Sequence, residues 1–88
     1  MLRITYVAAE DSVSTLKLEG KLLGPWVEEF GRTFNEYISS NVGLQIDLQS
    51  VTFVDGAGVQ LLRDLTRRGI RISACSALVA ELLRLEGR

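Results

Sequence analysis

The chain has 88 residues, 47% of them hydrophobic and 24% charged, with a formal charge of −1. This fits one folded domain near the size at which a core becomes marginal, and excludes both disorder and a second domain. There is no histidine, ten Lys and Arg face eleven Asp and Glu, and Cys75 is the only cysteine; these counts argue against a disulfide, a Cys-rich metal site, a His general base and a basic track for nucleic acid.

Leu2, Ile4 and Tyr6 alternate along Leu2 to Ala8 before the polar turn Glu10, Asp11, Ser12, a strand and turn pattern. Leu16 and Leu18 alternate with Lys17 and Glu19 in a second strand over Ser14 to Gly20, and the short connection predicts an antiparallel hairpin. Gly24 and Pro25 then start a helix expected to run to about Ser39. Val27, Phe30, Phe34, Tyr37 and Ile38 form its core face, and Glu28, Glu29, Arg32 and Glu36 its solvent face. Trp26 either packs against the sheet edge or belongs to a contact surface.

Asn41 to Gly43 read as the helix stop. Leu44, Ile46 and Leu48 alternate with Gln45, Asp47 and Gln49 in a third strand, which continues apolar through Val51, Phe53 and Val54. From Gly56 the period changes: Gly58, Leu61, Leu62 and Leu65 share one helical face until Gly69 ends the helix. Arg63, Asp64, Arg67 and Arg68 turn outward, and Asp64 is spaced to pair with Arg67 or Arg68. Ile70, Ile72 and Ala74 make a fourth strand. Ser76 caps a last helix whose apolar face is Leu78, Val79, Leu82, Leu83 and Leu85. Helical crossovers force the later strands parallel, so the expected fold is α/β: one domain over residues 1–88 with a mixed four-stranded sheet, an N-terminal antiparallel hairpin and then parallel strands linked by helices.

Little of this suggests catalysis. No serine or cysteine is spaced for activation, Cys75 reads first as a small packing residue and second as a reactive thiol, and the adjacent Glu28 and Glu29 cannot face each other as an acid/base pair. No catalytic residue, metal or cofactor is expected. The outward arginines of the second helix serve either plain solvation or the docking of an acidic partner. The segment whose composition goes beyond folding is Val54-Asp55-Gly56-Ala57-Gly58-Val59, where a strand passes through small residues into a helix. Asp55 is placed to cap that helix, and Gly56 and Gly58 allow close backbone approach. Three readings stand: capping alone, a protein-contact loop, or an anion site, the last matching neither a P-loop nor a dinucleotide fingerprint.

The stretch Leu48 to Leu62, with apolar strand, Asp55-Gly56-Ala57-Gly58 loop and apolar helix, resembles the STAS domain of sulphate transporters and anti-sigma factor antagonists. The resemblance covers about residues 2 to 85, with further support from Leu16 to Gly20 and from Ile70 to Ser76 followed by Val79. It implies the STAS-like version of the mixed sheet above. In antagonists of that family the second serine of an Asp-Ser-Ser-Gly loop is phosphorylated by a partner kinase. Ala57 occupies that position here and Gly56 the position of the first serine, while Asp55 and Gly58 match. Ala57 has no hydroxyl, so the resemblance implies a loop that this phosphorylation cannot switch.

The function expected is therefore a non-enzymatic interaction module of bacterial signalling and transcription regulation. Its partner-binding residues would be Asp55, Gly56, Ala57, Gly58, Val59 and Arg63, and its partner an anti-sigma factor or kinase-like protein. Alternatives implied by the family are a cytoplasmic accessory subunit meeting a transporter component, and a nucleotide-binding domain. The N-terminus lacks a signal peptide's apolar core and no apolar stretch nears the roughly 20 residues of a membrane span, so a cytoplasmic location without membrane insertion is expected. The family usually carries a further C-terminal segment beside the sheet. Without it, an uncovered edge would favour a homodimer.

Overall fold

The computed structural model describes residues 2–8, 13–38 and 43–86. β1 (Leu2–Val7) and β2 (Val13–Leu22) pair antiparallel, with Ile4 opposite Leu18 and Tyr6 opposite Leu16. After α1 (Pro25–Ile38), β3 (Gly43–Val54) pairs parallel with β2. α2 (Gly56–Arg67) then leads to β4 (Arg71–Cys75), parallel to β3, and α3 (Ala77–Glu86) follows. The sheet order is β1-β2-β3-β4, the mixed arrangement expected from the crossovers.

One sheet face carries the core. Leu16, Leu18, Leu22, Leu44, Ile46 and Leu48 from the sheet cluster with Phe30 and Phe34 of α1, Val59, Leu62 and Leu65 of α2, and Val79 of α3. All three helices therefore lie on that face. Thr15, Lys17, Gln45 and Asp47 alternate onto the other, where Lys17 sits opposite Asp47 and the Gln45 amide donates to Thr15 Oγ1 at 3.0 Å. Parallel strands usually need cover on both faces. Here the outer face is polar enough to meet water directly.

The strand β3 runs further than alternation alone predicts, and its period breaks. Lys17 pairs with Asp47 but Glu19 with Ser50, and Gly20 pairs with Val51 but Lys21 with Phe53, so β3 carries an extra residue at two points. Each insertion shifts the pleat by one. Leu48, Val51 and Val54, three apart, thus all face inward, whereas Phe53 turns outward and is 41% exposed. β4 shows the same effect. Its register shifts after Ile72, placing Ala74 opposite Asp47 and Cys75 opposite Leu48, so Cys75 rather than the expected Ala74 packs on the core. Cys75 is thereby the packing residue that its position suggested.

The helix faces largely follow their spacing. Phe30 and Phe34 meet edge to face at 6.3 Å, and Tyr37 stacks on Tyr6 of β1 at 4.4 Å, joining helix to hairpin. Trp26 is half-buried, outside the cluster that the other apolar residues of α1 join. α2 closes on Gly69, with φ +88°; the Ile70 N–H donates to Leu65 O and the Gly69 N–H to Thr66 O, the paired bonds of a Schellman cap. On α3, Ser76 Oγ accepts from the Val79 N–H and donates to Val51 O, the expected cap. Leu78, expected inside, is 48% exposed: it lies at the margin of the stripe centred on Val79 and Leu82, which is the part of α3 that joins the core. The expected turn at Glu10 to Ser12, the helix stop at Asn41 and the side chain of Leu85 fall outside the described residues.

Replacing Phe30, fully buried between sheet and helices, by alanine is expected to cost about 3–5 kcal/mol of unfolding free energy. Phe53→Ser, on the outer face, is expected to cost less than about 1 kcal/mol. Urea denaturation of the two variants measures both; equal losses would mean that the pleat shift in β3 is misplaced.

Candidate functional site

The passage from β3 to α2 is built around one carboxylate. Asp55 takes an extended backbone (φ −84°, ψ −179°) that ends the strand and lets its side chain reach back over the first helical turn. Its Oδ1 accepts from the Gly58 N–H at 2.8 Å, the usual N-cap bond. Its Oδ2 accepts from the Gly24 N–H at 2.9 Å, on the separate loop between β2 and α1. The Asp55 N–H donates to Leu22 O at 3.1 Å. One residue thus fastens the starts of two helices to the ends of two strands.

These bonds hold the Asp55 carboxyl below the usual carboxylate range, chiefly through the N–H groups of Gly24 and then Gly58, against the opposing effect of burial. They also occupy the anion-binding position at the start of α2. A nucleotide phosphate there would have to displace the protein's own carboxylate, so the geometry lends the nucleotide reading no support.

Gly58 is required by space. A Cβ there would lie 2.6 Å from Val54 Cγ1 and 2.9 Å from Leu22 O, in a region with no room to yield. Around Gly56 nothing would lie within 4 Å of an added Cβ. Its glycine is not imposed by packing.

The six residues singled out from sequence therefore divide. Gly56 and Ala57 are exposed in the first turn of α2, Asp55 being the one residue between that helix and β3; Asp55 and Arg63 are half-buried, and Gly58 and Val59 are buried. Val59 belongs to the core and Gly58 sits under the loop, so neither offers contact surface. Both support the surface from beneath. Gly24 was missed by sequence reasoning; its only local signal is its place before Pro25, which marks a turn and says nothing of Asp55, 31 positions away.

The family model described as Mlab, STAS domain matches residues 5–87. The chain belongs to the STAS domain family. No curated protein matches it. Members of this family are generally non-enzymatic. Among the described residues, no three of His, Cys, Asp and Glu gather as a metal site, and no helix is long and apolar enough to cross a membrane.

Gly58→Ala is expected to lose about 1–3 kcal/mol through overpacking, whereas Gly56→Ala should be neutral or stabilising by up to about 1 kcal/mol. Comparing their urea midpoints checks the steric assignment. For Asp55→Asn, one oxygen still caps α2 but the amide turned toward Gly24 cannot accept, a loss of about 1 kcal/mol at pH 7. A carboxyl held low in the folded state stabilises fully above its unfolded pKa of about 3.9 and progressively less as pH falls through the folded value. The gap between wild type and Asp55→Asn, followed by thermal or urea unfolding, should therefore narrow as the pH drops below about 4. A gap constant down to pH 2 would show that Asp55 does not act through its charge.

Proposed function

We propose that this STAS domain is a cytoplasmic, non-enzymatic interaction module that docks a protein partner on the tip of the β3–α2 loop and the exposed side of α2. The supporting observation is the state of Ala57: it is exposed at the loop tip, has no hydroxyl, and rests on a loop pinned by Asp55 and Gly58. In phosphorylated relatives a phosphate here would add roughly −1.5 to −2 charges beside the partner and repel it. Alanine leaves the surface permanently in its unmodified, binding-competent form. The reading extends to bacterial signalling, with an anti-sigma factor or kinase-like protein as partner; capture of a transporter component instead would assign the module to a transport assembly.

Ala57→Glu provides a clean test, because an acid in the first turn of α2 faces the positive end of the helix dipole and leaves folding intact. In pull-downs from native extract, the variant is expected to recover at least roughly tenfold less partner than wild type, a loss of about 1.4 kcal/mol or more, with an unchanged thermal midpoint. Equal recovery by the two proteins would remove the loop from the contact.

A further inference from the structure

The far half of α2 and the start of β4 concentrate positive charge. Residues 60–71 hold four arginines, Arg63, Arg67, Arg68 and Arg71, against one acid, Asp64, in a chain whose net charge is −1. Cations do not dominate the other helices: α1 carries Glu28, Glu29 and Glu36 with Arg32 bonded to Glu29, and on α3 Arg84 is bonded to Glu81. Gln60, Arg63, Asp64 and Arg67 recur at three and four residues, one stripe continuous with Gly56 and Ala57. Arg67 reaches Asp64 at 3.1 Å, yet both side chains are more than half exposed, so the pair is weak and screened and Arg67 can still meet a partner's carboxylate. Arg68, also exposed, holds its guanidinium 5.8 Å from the Phe34 ring centre, whereas Arg71, in register with Gln45, lies on the outer face of the sheet and outside this stripe.

Resting on the docking reading above, we infer that the partner lays an acidic segment of a protein along this stripe, its carboxylates against Arg67 and Arg68 and its small or apolar end over Gly56 and Ala57. Arginine forks match carboxylates two bonds at a time, which sets register as well as attraction. From Ala57 to Arg68 the helix extends about 16 Å, the length of three turns of a partner helix. A lipid surface fits less well, since Gln60, Asp64, Thr66, Arg67 and Arg68, the exposed residues of the stripe beyond the loop, offer no apolar anchor. A nucleic acid would need a longer cationic track with aromatic side chains for stacking. The arginines raise the rate of encounter, and the uncharged loop tip supplies close contact.

The test places a photo-reactive amino acid at Gln60 or at Thr66 of the full chain in native extract, and identifies the cross-linked peptide by mass spectrometry. Both positions are expected to mark one protein segment in which acids outnumber bases. Its capture should fall at least roughly tenfold between about 50 mM and 500 mM salt, and equally in Arg67→Glu/Arg68→Glu, a folded variant by circular dichroism. A neutral or basic segment, salt-insensitive capture, or cross-links to nucleic acid, lipid or a second copy of this chain would overturn the inference. If Ala57→Glu abolishes capture while Arg67→Glu/Arg68→Glu does not, the docking site stands and the acidic partner falls. Failure of both variants to change capture, or no cross-link at either position, removes both.

Discussion

The carboxylate of Asp55 accepts from Gly58 on its own helix and from Gly24 on another loop, and the arrangement of this end of the molecule follows from that double use. A cap bonded only within its helix would set the start of α2 and nothing else. Through Gly24 the same side chain also sets the start of α1, and through its backbone N–H it is tied to Leu22 at the end of β2. Gly58 makes this possible, since a Cβ there would collide with Val54 and with Leu22 O. Charge, hydrogen bonding and space thus converge on a junction whose next residues, Gly56 and Ala57 in the first turn of α2, are exposed while everything beneath them is held.

A pinned loop suits a contact surface more than a catalytic one. Catalysis needs groups that change protonation or bond during a reaction. Here the ionised group nearest the tip is committed to backbone N–H groups that stabilise its charge. What remains exposed is small and uncharged, and a partner can approach it closely. Along α2 the character changes from a neutral first turn to arginines at the far end, and the proposed docking would use the one for close contact and the other for electrostatic steering.

The sheet sustains this arrangement with few residues. Two extra residues in β3 shift its pleat twice, which keeps Val51 and Val54 inward and brings Val54 beneath Gly58. The outer face remains polar, with Lys17 opposite Asp47 and Thr15 bonded to Gln45. A single layer of helices is therefore enough to cover the apolar face.

Hydropathy period and turn chemistry were sufficient to read from sequence the element order, the parallel and antiparallel pairings, the caps at Asp55 and Ser76, and the core faces of α1 and α2, because each depends on residues within a few positions of one another. The pairing of Asp64 with Arg67 was legible for the same reason. What tertiary structure alone decided depends on pairing partners far apart in the chain. The bulges that turn Phe53 outward and exchange Ala74 for Cys75 exist only in the register between strands. Leu78 is exposed because α3 turns its Val79 and Leu82 side to the core, and Val59 is core because strands lie under α2. The bond from Gly24 to Asp55 spans 31 positions, and no local pattern encodes it: a carboxylate has two oxygens, and only the fold determines what meets the second.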